Sequence, residues 1–159
     1  MQHANSHTQS SKDHKPNYFL SLLGNTCARC RRGKLFVHPL GLSLTRNMEM
    51  PKTCPVCGQP TELEVGFYYG TGYVSYALTV AISVASFVAF WVLYGVSIDD
   101  NSLFIWLGLN IALLTLLMPW LMRISRTIWL SFFVKYDPNW HKKPAPEPER
   151  IVEVHMNNW

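Results

Sequence analysis

The chain has 159 residues, of which 48% are hydrophobic, 13% aromatic and only 15% charged, and its formal net charge is +4. Ordinary soluble domains carry about 25% charged residues, so part of this chain is built for lipid rather than water. The charge is too mild to argue for nucleic acid by itself. Four cysteines in two close pairs are not the framework of a secreted disulfide scaffold.

Residues 1–17, opening MQHANSHTQSSKDHKPN, read as a disordered tail: such residues bury too little apolar surface to offset ordering. They contain no apolar stretch of the kind a signal peptide needs. A compact module is expected over residues 18–64. Within it Lys34-Leu35-Phe36-Val37 reads as a short strand, and Leu42 to Met50 as a turn of helix that stops before Pro51. Residues 65–72 form an interfacial linker. The stretch GFYYGTGYVSY, from Gly66, is dense in tyrosine, whose apolar ring and polar hydroxyl suit a bilayer surface.

Two apolar blocks follow. No Asp, Glu, Lys or Arg occurs between Val65 and Ile98 or between Asn101 and Met122. Residues 73–98 and 103–122 are each long enough to cross the ~30 Å hydrocarbon core. The four polar residues Asp99-Asp100-Asn101-Ser102 make a tight turn, so the blocks form an antiparallel hairpin. All 14 Lys and Arg lie outside that hairpin, while its turn carries two aspartates. The positive-inside rule therefore places both termini in the cytoplasm and the turn outside. Reduced metal-binding cysteines call for the same compartment. Residues 123–137 continue the second helix, with Arg123 and Arg126 expected to meet the anionic leaflet and Trp129 to anchor the interface. Residues 138–159 read as a Pro-rich tail.

The chemistry lies in Cys27-Ala-Arg-Cys30 and Cys54-Pro-Val-Cys57. Two thiolates two residues apart both reach one ion when the backbone turns tightly, and a second such pair completes a tetrahedron. Gly58 allows the left-handed conformation such a turn needs. Arg29, Arg31, Arg32 and Lys34 offset thiolate charge. The expected cofactor is one structural zinc ion held by Cys27, Cys30, Cys54 and Cys57; a single iron for electron transfer is the competing occupant. A four-cysteine site has no open coordination position, so an enzyme is not expected. His3, His7, His14, His38, His141 and His155 have no assigned role. With no Asp, Glu, Lys, Arg or His inside either span, the hairpin lacks the usual proton or ion relay.

On the first span Ser75, Thr79, Ser83 and Ser86 share a stripe, as do Gly108, Ala112, Thr115 and Pro119 on the second. Such small faces are expected to pack on each other. Asn110 projects away from the Gly108 stripe near mid-membrane, which marks it as a contact with a membrane-protein partner or a second copy.

The knuckle followed by GKLF, then CPVCGQ, GFYYGTGYVSYALTVA, the hairpin and a WLSFFVKYDP end resembles the bacterial family called domain of unknown function 983, closest in look to members from Bacteroidetes. The resemblance runs from about Asn25 to Pro138. It implies zinc on the four knuckle cysteines and an accessory role beside a respiratory complex. The sequence thus predicts a small zinc ribbon with short β structure followed by a two-span helical hairpin in a bacterial inner membrane. It is expected to act as an accessory or assembly protein, with nucleic-acid binding by the basic first knuckle as the alternative.

Overall fold

The computed structural model describes residues 16–41, 43–96 and 100–146. Residues 1–15 and 147–159, with His3, His7, His14 and His155, lie outside the described residues, as do residues 97–99 at the hairpin turn.

The chain enters through a short helix α1 (Tyr18–Leu23), ended by Gly24, whose backbone N–H bonds the Leu20 carbonyl. The first knuckle follows. The second short helix, α2 (Leu44–Met48), leads to the second knuckle. A 3-10 turn at Phe67–Gly70 opens directly into α3 (Thr71–Tyr94), and α4 (Ser102–Phe133) returns beside it. Both long helices are apolar enough to cross a membrane. On α3, Tyr73 and Tyr94 are each 79% exposed. Their separation along the axis is about 32 Å at ~1.5 Å per residue, close to the hydrocarbon thickness, so they sit where interfacial tyrosines belong.

The expected strand at Lys34–Val37 is not formed. Among the described residues the only β pairings are isolated antiparallel bridges, Thr26 with Lys34 and Thr53 with Pro60, one closing each knuckle. After its bridge the chain turns inward, because Leu35 and Phe36 are buried in the module core. Val37 then pairs with the Glu49 carbonyl, on a different segment.

The second helix continues past Met122 as expected, unbroken to Phe133, and departs from expectation in its surroundings. Its 32 residues are about 48 Å long, roughly 18 Å more than the hydrocarbon core spans. The excess does not lie on lipid. Leu121, Arg123, Ile124, Ser125, Arg126, Thr127 and Leu130 are all buried, so the cysteine module wraps the last three turns of α4. Sequence on both flanks of the hairpin meets in this module, so the two flanks lie at the same end of it.

The hairpin interior also differs from the small-on-small packing expected. The α3 stripe does face inward, but α4 presents Trp106, Asn110, Leu114 and Leu117, with Ala112 and Thr115 exposed and open space beside Gly108. Asn110 is buried. Its Nδ2 donates to Ser83 Oγ (3.2 Å), and its Oδ1 accepts from Ser86 Oγ (3.1 Å). Trp106 Nε1 donates to the same Ser86 hydroxyl (3.3 Å). The amide points into the hairpin rather than toward a second chain, because a polar group in lipid costs more than close packing of small residues gains. Asn110→Leu is therefore expected to lower the thermal stability of the detergent-solubilised chain by about 1 kcal/mol, at ~0.6 kcal/mol per lost membrane hydrogen bond. Chemical cross-linking should show self-association unchanged; weakened association at unchanged stability would return Asn110 to an intermolecular contact.

Candidate metal centre

The two knuckles are built alike. In the first, the Arg31 N–H bonds the Cys27 carbonyl (2.8 Å) and the Cys27 N–H bonds the Gly33 carbonyl (2.8 Å). In the second, Gly58 N–H bonds the Cys54 carbonyl (2.9 Å) and Cys54 N–H bonds the Gln59 carbonyl (2.8 Å). Both turns place the residue after the second cysteine in the left-handed region. Gly58 adopts φ 68° there without cost, but in the first knuckle Arg31 holds φ 55°. A non-glycine residue pays for that conformation, and here its side chain is well anchored. The Arg31 guanidinium donates to the Pro16 carbonyl (2.9 Å) and stacks on the rings of Tyr18 and Tyr136, 5.2 and 4.6 Å from their centroids.

These turns bring all four sulfurs within 4.8 Å of one another. Cys27 Sγ lies 3.7 Å from Cys57 Sγ, and Cys30 Sγ lies 3.8 Å from Cys54 Sγ. A tetrahedral thiolate site with metal–sulfur bonds of about 2.3 Å has edges of about 3.8 Å. The donor set therefore fits one tetrahedral ion, with each observed pair joining the two knuckles. Gly33 makes this possible: a Cβ there would stand 2.3 Å from Cys54 Sγ. Its N–H also points at Cys30 Sγ (3.4 Å), the kind of contact that steadies a thiolate ligand.

Such crowding governs protonation. Hydrogen bonding with Cys30 and Cys54 pushes the Cys27 thiol up, while Cys30, which accepts from Cys27 and from Cys54, is held well below the ordinary thiol range. Burial pushes Cys57 up to about 12. The cluster cannot carry four thiolate charges unaided, so loading a cation must release protons. The ion would then supply charge neutralisation and a cross-link between the knuckles.

The centre is embedded in the module's core rather than hung on its surface. Cys27, Cys30 and Cys54 pack with Leu35, Phe36, Phe67, Tyr68 and Leu130. Gly70 is part of this fit, since a Cβ there would run into the Trp129 ring at 2.1 Å. Trp129, expected to anchor an interface, packs on this core, and its Nε1 donates to the Phe67 carbonyl (2.7 Å).

The basic residues have roles that the sequence did not reveal. Arg29 is buried, donates to the carbonyls of Lys143 (2.8 Å) and Pro144 (3.1 Å), and pairs with Asp137 at 3.5 Å. It ties the segment after α4 to the first knuckle. Arg123, expected among lipid headgroups, instead donates to the carbonyls of His38 (2.8 Å), Pro39 (3.0 Å) and Asn47 (2.9 Å). Its guanidinium also lies over the Phe36 ring, 4.8 Å from the centroid. Arg126 donates to the Met48 carbonyl (3.0 Å). Asn47, which drew no notice in the sequence, is 1% exposed and orders the loop by accepting from the Gly41 N–H (2.9 Å) and from Arg123 (3.2 Å). His38, left without a role, pairs with Glu49 at 2.9 Å on the surface.

A family model described as Protein of unknown function (DUF983) matches residues 45–133, more than half of the chain. The chain belongs to this family. The DUF983 match takes in the second knuckle, both long helices, Arg123 and Arg126, and begins after Cys27 and Cys30. No curated protein and no solved structure matches the chain.

Proposed function

We propose that the four sulfurs hold one structural zinc ion, and that the chain is a non-enzymatic accessory or assembly protein of a membrane complex. The reading adds that it sits in a bacterial inner membrane with both termini in the cytoplasm. One observation carries this reading: four sulfurs spaced as tetrahedral edges inside a core that is clamped onto the end of a membrane-length helix. A closed four-thiolate site leaves no position for substrate or water. A hairpin without Asp, Glu, Lys, Arg or His in its apolar blocks lacks the usual relay. What remains is a rigid module held at the membrane surface, with Val37, Leu40 and Val56 exposed on it. Such a module suits protein contact. An orientation with the module inside agrees with the distribution of Lys and Arg and with the need for reduced thiols.

The nucleic-acid alternative loses its strongest residues, because Arg29 and Arg31 are spent on carbonyls and aromatic rings within the chain. Affinity purification of the full chain in mild detergent, followed by mass spectrometry, is expected to recover a membrane-protein partner or a second copy in stoichiometric amount. Recovery should fall when Cys54 and Cys57 are both changed to Ser. A chain that purifies alone, and whose elution from RNA or DNA depends steeply on salt, would favour the alternative.

A further inference from the structure

Away from the sulfurs, a cavity of about 270 Å³ opens between the cysteine module and α4. Arg46, Glu49, Lys52, Glu62, Tyr68 and Arg126 line it. Two of these residues each hold a buried polar atom without a hydrogen-bond partner, Glu62 Oε1 and Arg126 Nε. Both residues are more than nine-tenths buried, at 9% and 8% exposure. Buried polar atoms without partners are rare and costly. Both residues line the same cavity, yet the salt-bridge contacts formed among the described residues are elsewhere, Arg29 with Asp137 and His38 with Glu49. A molecule in this cavity therefore meets both a guanidinium and a carboxylate.

That requirement selects a chemistry. A simple anion would satisfy Arg126 and be repelled by Glu62; a simple cation would do the reverse. A group carrying both a phosphate and an ammonium N–H satisfies both, and Arg46 and Lys52 add to the positive side. The position selects a source. Arg126 lies one turn beyond Met122, where the apolar block of α4 ends, and Tyr68 stands just ahead of α3. The cavity is therefore level with lipid headgroups if the hairpin spans the bilayer. Its volume falls below the ~300–1,000 Å³ of drug-sized sites but is many times the ~30 Å³ share of one water. We propose that this cavity binds the headgroup of a phosphoethanolamine lipid, phosphate toward Arg126 and ammonium on Glu62. A choline headgroup, which has no N–H, cannot make the second bond.

The proposal rests on the membrane reading, which is checked separately: a chain that leaves the membrane fraction on alkaline washing would overturn that reading first. The lipid test uses the full-length protein, stripped of lipid in detergent and offered equal amounts of phosphatidylethanolamine, phosphatidylcholine and phosphatidylglycerol, with retained lipid read by native mass spectrometry. Phosphatidylethanolamine should be held about tenfold over either competitor, the scale of one charge-assisted hydrogen bond. Glu62→Gln should bring the preference over phosphatidylcholine close to one, with metal content unchanged. Retention of no lipid (a cavity holding water only), equal retention of the ethanolamine and choline lipids, or an undiminished preference in Glu62→Gln would each overturn the proposal. Free phosphoethanolamine binding as tightly as the lipid would overturn the membrane source. Should Glu62→Gln lose its metal and fail to fold, the ranking of the three lipids by the unaltered protein decides alone.

Discussion

Chelating the metal, or changing Cys54 and Cys57 together to Ser, is expected to unfold residues 18–64 while leaving the two long helices intact. The module's described residues form no strand and only short helices, and three of the four cysteines belong to its apolar core. Without an ion, the sulfurs that should cross-link the knuckles become a buried cluster of thiols. Structural zinc sites supply roughly 10–16 kcal/mol in isolated fingers, about the whole stability of an ordinary domain. Protease cleavage within the module should accelerate by at least about a hundredfold, the effect of ~3 kcal/mol on an opening equilibrium. Far-UV circular dichroism should lose little, because most of the described helix lies in α3 and α4. Elemental analysis should give about one zinc per chain, absent from the double variant. Equal protease resistance with and without chelator would show that the metal does not hold the fold, and a coloured protein containing iron would replace zinc as its occupant.

The second large effect is expected at Arg123. Its guanidinium joins three backbone carbonyls from two stretches of the module, and no acidic group pairs with it among the described residues. Removing it would leave those carbonyls buried and unpaired, at about 1–3 kcal/mol for each group that finds no water. Arg123→Met keeps much of the packing on Phe36 and isolates this loss. Undocking of the loop around α2 should become easier by roughly 3 kcal/mol, seen as faster amide hydrogen exchange over residues 37–50. Arg123→Lys should recover only part of it, since one ammonium lacks the planar fork that reaches both segments. Metal content should stay near one per chain in both variants. Exchange that is unchanged in Arg123→Met would mean that the helix and the module are held by apolar contact alone.

The four-cysteine cluster was legible because its signal is local: two C-x-x-C turns announce themselves within a few residues, and Gly58 marks the left-handed position of the second. The two apolar helices were legible for a similar reason, since exclusion of charge over a membrane thickness needs no partner to interpret. The failures share a different cause. Arg29, Arg123 and Arg126 bind mainly backbone carbonyls, which every residue possesses, and their side-chain partners Asp137 and Asn47 lie far away along the chain, so nothing local betrays the pairing. An arginine beyond a membrane span looks the same in sequence whether it meets lipid phosphate or a protein loop. The signal that was present lay in the mixture itself: from Arg123 to Phe133 basic and apolar positions do not separate into faces, and from Arg123 to Thr127 the helix is indeed buried on every side. Asn110 shows a subtler failure. Its angle from Gly108 was read correctly, but the small residues were assigned to the inside, and the amide outranks them. Arg31 in a left-handed turn had no local mark at all, because its compensation comes from Tyr18 and Tyr136, far apart in sequence.

The clamping of the module onto α4 has a consequence for the order in which the molecule is made. Asn47 is synthesised 76 residues before the Arg123 that bonds it, and Arg29 precedes the Lys143 carbonyl it holds by 114. The knuckles emerge first, while the hairpin is still unmade. Until both helices are threaded and the last turns of α4 arrive, Leu35, Phe36 and the carbonyls around α2 have no cover. Contacts so distant along the chain close late and leave a partly folded intermediate exposed meanwhile. On the membrane reading proposed above, closure of the module would record completed insertion: a chain whose second helix failed to cross would leave the knuckles open to cellular proteases.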